Sequence, residues 1–153
     1  MKINMAEWKQ SVLNSKQRIA VPILTHTGIE MSGKRVVDAV TDGRVHYEAI
    51  RLLSENFPAS ACTVIMDLTV EAEAFGARII FPEDEVPSVV GRLVSDRESI
   101  DRLVVPTLDC ARIPQYLLAN SLAANSLDKP VLAGCIGPFS RSEERRVGKE
   151  CRS

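Results

Sequence analysis

The sequence predicts an α/β fold built on parallel strands. Apolar runs without polar alternation, at 19–24, 61–66 and 130–137, are typical of strands that are buried on both faces. Stretches with helical spacing separate these runs, which indicates β/α units joined by crossover helices. A doubly wound sheet and a barrel both satisfy this pattern, and in both of them ligands bind at the carboxyl ends of the strands.

The composition excludes several classes of protein. The 153 residues are 45% hydrophobic and 25% charged, which is enough apolar material for a packed core. A formal net charge of −1 gives no electrostatic case for a nucleic-acid partner. The apolar runs are much shorter than the roughly 20 residues that span a bilayer, so no membrane partner is expected. The four cysteines lack metal spacing and indicate reduced thiols in a cytoplasmic protein, with no metal site in this chain.

In the first half of the chain, helical spacing of apolar side chains predicts helices at 5–18, 34–41 and 44–57. Asp42-Gly43 breaks the pattern between the last two of these helices. The run 19–24 predicts a buried strand, followed by a polar loop over residues 25–28. Pro22 favours an edge position or the start of that strand, because proline has no N–H to donate to a ladder.

In the second half, helical spacing predicts helices at 69–75, 96–103 and 113–125. Apolar and β-prone runs predict strands at 61–66, 77–81 and 130–137. Gly76 is the predicted stop of the first of these helices. Residues 82–87 predict a loop, because their prolines and charges suit neither regular state.

The composition changes after Ser140. Residues 141–153 carry five basic and three acidic side chains, which leaves 14 basic and 17 acidic ones, a net charge of −3, in residues 1–140. Such a polar run cannot bury a helix face or supply a strand. We interpret 141–153 as a disordered, non-native tail translated from cloning or adaptor DNA, in preference to a basic interaction tail or a solvated end.

Asp67 is the strongest single candidate for a chemical role. It directly follows the strand at 61–66, where partial burial and nearby dipoles tune a carboxylate whose charge can steady a developing cation. A structural role explains an aspartate at this position equally well, because Asp often caps a helix and one is predicted to start near Thr69. Glu71 and Glu73 are two positions apart, so on a helix they point to different sides and cannot share one site.

The two histidines and the acidic run 83–85 are weaker candidates. His26 closes the first predicted strand and is either a ligand donor, an acid–base group or a hydrogen-bonded loop residue. His46 lies inside a predicted helix, and we interpret it as structural. The acidic run lacks the glycine turn and the spacing of a calcium loop, so we interpret it as solvated.

Two segments resemble the uroporphyrinogen decarboxylase superfamily: 65–76, which reads IMDLTVEAEAFG, and 81–87, which reads FPEDEVP. Within that superfamily they are most similar to the cobamide-dependent methyltransferases that methylate coenzyme M or related thiols. The resemblance implies a (β/α)₈ barrel, which usually needs about 250 residues. Residues 1–140 would then be the N-terminal portion of a barrel that is incomplete in this chain.

The resemblance also implies roles for individual residues. Asp67 falls at the position whose carboxylate, in the decarboxylases, contacts the pyrrole nitrogens of the substrate. The decarboxylases bind substrate carboxylates through arginines just after the first barrel strand, and residues 25–30 contain no arginine here. This difference favours the methyltransferase branch. The residues expected to face substrate or corrinoid are His26, Thr27, Gly28, Glu71 and Ser140.

We therefore expect the full-length protein to be a cytoplasmic methyltransferase that moves a methyl group between a corrinoid protein and a thiol or folate acceptor. The resemblance implies zinc and corrinoid as cofactors, with zinc ligands in the second half of the barrel, so this fragment alone is expected to be inactive. The alternatives are uroporphyrinogen decarboxylase of tetrapyrrole (heme) biosynthesis and a non-catalytic β/α binding module. Open strand edges and exposed apolar surface predict that the fragment aggregates or forms homo-oligomers.

Overall fold

The computed structural model describes residues 3–135, so Ser140 and the predicted tail at 141–153 lie outside the described part of the chain. The described part contains seven helices and four strands. The helices are α1 (Met5–Asn14), α2 (Thr25–Ser32), α3 (Val36–Thr41), α4 (Gly43–Asn56), α5 (Val70–Ala74), α6 (Arg97–Asp101) and α7 (Ile113–Ser126). The strands are β1 (Cys62–Thr63), β2 (Arg78–Ile80), β3 (Ser88–Val90) and β4 (Val131–Leu132).

Strands β1 and β4 form a parallel pair, with Cys62 opposite Val131 and Thr63 opposite Leu132. The chain between them passes through α5 to α7, which is the long crossover that a parallel pair requires. This arrangement confirms the predicted α/β class with parallel strands. The ladder is shorter than predicted, and beyond it the N–H of Ile65 donates to Nε2 of His46 at 2.8 Å.

Strands β2 and β3 form an antiparallel hairpin around the predicted loop at 82–87. Strand β2 confirms the run predicted at 77–81, whereas β3 has no counterpart in the sequence predictions. Three residues are too few to show an alternating pattern, so Ser88–Val90 gives no strand signal of its own. The acidic run 83–85 is exposed on the hairpin loop, in agreement with its interpretation as solvated.

Helix α4 joins the two hydrophobic clusters of the core. Ala49 belongs to the cluster shared with α2 and α3, and Ile50 belongs to the cluster shared with β1 and α7. The first cluster contains Ile29, Val36, Ala39, Val40, Ala49 and Ile65. The second contains Ile50, Cys62, Val64 and Ala123. Asp42 caps α4 by accepting a hydrogen bond from the N–H of Arg44 at 2.7 Å, which confirms the predicted break before this helix.

The predicted strand at 19–24 and the loop after it are wrong. Residues 18–24 are irregular, and helix α2 begins at Thr25, where the sequence indicated a loop. The N–H of Ser60 donates to the carbonyl of Ala20 at 3.3 Å, so this segment lies beside the entry to β1. Pro22 has no N–H, which prevents a continuous ladder at the centre of the segment.

Other predicted helices are present with different ends. Helix α1 ends at Asn14, four residues before its predicted end at 18, and contributes no buried residue to the core. Helix α5 ends before Gly76, which has the positive φ of 95° that suits glycine and confirms the predicted stop. Among residues 3–135, no helix has the length and apolar character needed to cross a membrane.

Candidate functional site

A cavity of about 790 Å³ opens at the carboxyl ends of β1 and β4. Segments 63–71 and 132–135 form two of its walls, and α7 forms a third. The apolar side chains of these walls include Ile65, Met66, Val70, Ile113, Leu117 and Leu132. This is the edge of a parallel sheet at which ligands bind in α/β folds, and Asp67 lies there as its position after β1 predicts.

The carboxylate of Asp67 is completely buried and accepts hydrogen bonds on both oxygens. Oδ1 accepts from the backbone N–H of Thr69 at 2.8 Å and from its hydroxyl at 2.7 Å. Oδ2 accepts from Nη1 of Arg112 at 2.5 Å and from the hydroxyl of Tyr116 at 3.1 Å. A carboxylate has about four lone-pair positions, so these four donors occupy all of them. The contacts with Thr69 close a turn before α5, whose N-cap is Thr69 and not Asp67, so the interpretation of Asp67 as a helix cap is wrong.

Arg112 is the centre of this buried network. Its Nε donates to Glu73 at 2.5 Å, and its Nη2 donates to the hydroxyl of Thr69 at 2.8 Å. Nη1 also donates to the carbonyl of Val40 at 3.2 Å, and the guanidinium lies 4.7 Å from the ring centre of Phe81. One side chain thus connects α3, α5, α7 and the segment after β1. We name the group Asp67, Thr69, Glu73, Arg112 and Tyr116 the arginine network.

Electrostatics fix the protonation states of Arg112 and Tyr116 in the arginine network. Burial lowers the pKa of Arg112, but its hydrogen bonds with Asp67 and Glu73 outweigh this effect and leave the pKa above its ordinary value. Burial and the negative charge of Asp67 raise the pKa of Tyr116 well above its ordinary value. Arg112 is therefore a permanent cation and Tyr116 a permanent neutral donor near neutral pH. Neither of them serves as a proton acceptor.

Sequence reasoning missed Arg112. It lies at the N-terminus of α7, directly after Ala111, whose φ of 48° is in the left-handed region and turns the chain into the helix. Pro114 in the first turn is a signal for a helix start, and it would have placed Arg112 at the cap. Nothing local indicates that the side chain crosses to a carboxylate 45 positions earlier.

Glu71 and Glu73 point to different sides of α5, as their spacing predicts. Glu73 pairs with Arg112, whereas Glu71 lines the cavity. Oε2 of Glu71 is buried and has no hydrogen-bond partner among residues 3–135. Oδ1 of Asn120, in the α7 wall of the same cavity, is also buried and without a partner in this part of the chain.

Helix α2 does not contribute to the cavity wall within the described residues, so the structure separates three predicted site residues from Asp67. His26 is exposed and Thr27 is half-buried. Gly28 is buried against α4, where a Cβ would lie 2.5 Å from the carbonyl oxygen of Ala49. The lack of a side chain at Gly28 permits close packing of α2 on α4. The predicted roles of His26, Thr27 and Gly28 depended on a loop, and this segment is helical instead. Ser140 lies outside the described residues.

Residues 3–135 do not fit the zinc ion that the resemblance implies. No group of three or more His, Cys, Asp or Glu side chains in this range is arranged to hold a metal ion. The cysteines in the described range, Cys62, Cys110 and Cys135, are free thiols. His46 is structural, as its position inside a helix predicts, because its ring accepts the N–H of Ile65.

The fold and the cavity define a class, that of β/α domains whose ligand site lies at the carboxyl ends of parallel strands. The family described as uroporphyrinogen decarboxylase (URO-D) matches residues 16–142. The chain belongs to the uroporphyrinogen decarboxylase family. This finding confirms the resemblance that the segments 65–76 and 81–87 indicate.

Two methyltransferases are similar to this chain. Methylcobamide:CoM methyltransferase MtbA from Methanosarcina mazei is 35% identical over 86 residues, which are 54% of this chain and 25% of that protein. A solved methyltransferase structure from Methanosarcina mazei has a TM-score of 0.69 and 20% sequence identity, and the match covers 94% of this chain and 47% of the other. The structural match shows a shared fold. The chain spans about a quarter of the length of the first relative and about half of the second.

Proposed function

We propose that this chain is the N-terminal half of a barrel enzyme that transfers a methyl group between a corrinoid protein and a small-molecule thiol or folate acceptor in the cytoplasm. Similarity to a methylcobamide:CoM methyltransferase supports the reaction class. The fold match, which covers nearly all of this chain and half of a methyltransferase, supports the assignment as a half-barrel. Residues 1–140 would form this half, and zinc ligands would come from outside residues 3–135.

The full occupancy of Asp67 is the observation that favours methyl transfer over decarboxylation. A decarboxylase needs this carboxylate to accept N–H groups from a pyrrole substrate. In this chain Thr69, Arg112 and Tyr116 fill its acceptor positions. A pyrrole would have to displace one of these buried donors, and leaving a buried donor unsatisfied costs about 1–3 kcal/mol. Asp67 is therefore a positioning residue that holds Arg112 and Tyr116.

The cavity wall also disfavours a polycarboxylate substrate. Among the described residues that line the cavity there is no lysine or arginine, and Glu71 adds a negative charge. Recognition of carboxylates depends on cations, and above all on the planar fork of arginine. A largely apolar wall with hydrogen-bond acceptors suits a neutral, ring-shaped group such as the corrin of a partner protein, with Glu71 among the residues that face it.

Methyl transfer by the full-length protein tests this proposal. The enzyme, methylcobalamin and coenzyme M are incubated together, with tetrahydrofolate as a second acceptor in parallel. Breaking the carbon–cobalt bond leaves both electrons on cobalt while the thiolate sulfur forms the new bond to carbon, so cob(I)alamin and a methyl thioether appear together. We expect both products by absorption spectroscopy and mass spectrometry. Release of carbon dioxide from uroporphyrinogen III, without methyl transfer, would overturn the proposal.

A further inference from the structure

Residues 92–110, which connect the β2–β3 hairpin to α7, are held weakly by the rest of the described chain. No residue of this segment is buried. The carbonyl of Cys110 accepts from the N–H of Ile113, and every other hydrogen bond that this segment makes within the described chain joins two of its own residues. Little burial and purely local hydrogen bonds are typical of segments that move away from the body of a protein at low cost. We name residues 92–110 the strap.

Both ends of the strap adjoin a residue with a positive φ. Gly91 precedes the strap with a φ of 73°, and a Cβ at this position would meet no heavy atom within 4 Å beyond its chain neighbours. Ala111 follows the strap with a φ of 48°, which is uncommon for a residue with a side chain. Changes of φ and ψ at two such turns are enough to move the intervening segment relative to the hairpin and α7.

The strap carries the three most exposed large apolar side chains among the described residues. Val104 is 80% exposed, Val105 is 81% exposed and Leu108 is 71% exposed. Leu108 also lines the cavity at the carboxyl ends of β1 and β4, so the apolar part of the strap begins at that cavity. Met66 and Leu117 in the cavity wall are about half exposed as well. Contact between the strap and this wall would remove apolar surface of both from water, which is favourable.

We infer that the strap is a lid that closes over the cavity by rotation at Gly91 and Ala111 and that closure brings Val104 and Val105 against the cavity wall. The strap lies in the connection from β1 to α7, which leaves the sheet at the end where the cavity opens. Long connections of this kind in compact domains commonly serve as lids, and a closed lid excludes water from a site. The lid would act on any occupant of the cavity, so its test does not depend on the proposed function.

A disulfide trap on the 153-residue chain tests for closure. Cys135 is an exposed free thiol in the cavity wall, and it serves as the fixed partner. Val104→Cys and Val105→Cys are introduced separately, in a background that carries Cys110→Ser and Cys151→Ser. Mild oxidation with diamide is followed by mass spectrometry of the peptides. Two cysteines form a disulfide only when their Cα atoms come within about 7 Å, so we expect a bridge to Cys135 in at least one of the two variants.

Val89→Cys in the same background is the matched control. Val89 is a partly exposed valine on β3, outside the strap. We expect the strap variant to form its bridge to Cys135 about tenfold faster than this control, because the rate of disulfide formation depends on access between the two thiols. If both strap variants react no faster than the control, the strap does not reach the cavity and the inference is wrong.

Trypsin digestion separates a moving lid from a segment that lies permanently on the cavity. Arg97 and Arg102 are exposed cleavage sites in the strap, and Arg18 is an exposed site in an irregular segment elsewhere. We expect the disulfide to slow cleavage at the two strap sites by about tenfold, because cleavage follows the population of the open form, and to leave cleavage at Arg18 unchanged. Equal cleavage of the strap before and after the disulfide forms would show that the strap has one position, which would overturn the inference.

Discussion

Replacing Arg112 with methionine is expected to lower the free energy of unfolding by about 3–5 kcal/mol, the cost of breaking a buried ion pair by removal of one partner. The substitution leaves the buried carboxylate of Asp67 with no cation and removes the partner of Glu73. It also removes the hydrogen bonds that Arg112 donates to the hydroxyl of Thr69 and to the carbonyl of Val40. Methionine keeps the length and apolar volume of the side chain, so lost packing is a small part of the effect. Urea unfolding followed by circular dichroism measures the change.

Arg92→Met is the matched control for this prediction. Arg92 is exposed, and substitutions at such positions usually change stability by no more than about 0.5 kcal/mol. Arg112→Lys keeps the charge but cannot reproduce the contacts of a planar fork, so its stability should fall between those of wild type and Arg112→Met. Equal stability of Arg112→Met and Arg92→Met would show that the arginine network does not hold the fold together.

The second large effect concerns pH and His46. The ring is fully buried, accepts the N–H of Ile65 and contacts the edge of Tyr116 with ring centres 4.9 Å apart. Burial lowers the pKa of His46 from 6.5 to about 4, although the charge of Asp67 acts in the opposite direction. As the pH falls, His46 therefore binds a proton near pH 6.5 in the unfolded chain but only near pH 4 in the folded chain. Stability is complete above pH 6.5 and decreases as the pH falls toward 4, by about 3 kcal/mol in total.

The window between pH 6.5 and 5.5 isolates this effect, because it lies at least one pH unit above the ordinary values of the carboxyl groups with lowered pKa values, such as Asp38 (3.8) and Glu48 (4.5). We expect the unfolding free energy of the wild type to decrease across that window by at most about 1.4 kcal/mol per pH unit. His46→Gln should remove this slope. His26→Gln, which removes an exposed histidine, should keep it. Parallel pH profiles for the wild type and His46→Gln would contradict the assignment.

The parts of the fold that the sequence predicts are those set by local rules. Helix α4 begins after the Asp42 cap and ends before Pro58, and the apolar spacing of α7 is equally clear. Asp67 is predictable as a candidate because it directly follows a buried run. The family is recognisable because its most specific segment, 65–76, is short and continuous.

The failures have a common physical cause, since each depends on contacts between distant parts of the chain. Residues 19–24 have the composition of a strand, but a strand exists only where a neighbour pairs with it, and Pro22 interrupts that pairing. Gly28 resembles a loop glycine, yet its role is to let α2 approach the backbone at Ala49. Arg112 carries no periodic or motif signal, because its partners lie in three other elements.

The parallel pairing of β1 with β4 determines the order in which the molecule can assemble. Cys62 and Val131 are 69 positions apart (131 minus 62), so their ladder forms only after a long loop has closed, at a large entropic cost. Helices α2, α3 and α4 are joined by short turns and close only local loops. We expect the helical layer to form first and the cavity wall last. Pulsed hydrogen exchange should then protect the amides of α4 before the N–H of Cys62, which donates to the carbonyl of Pro130.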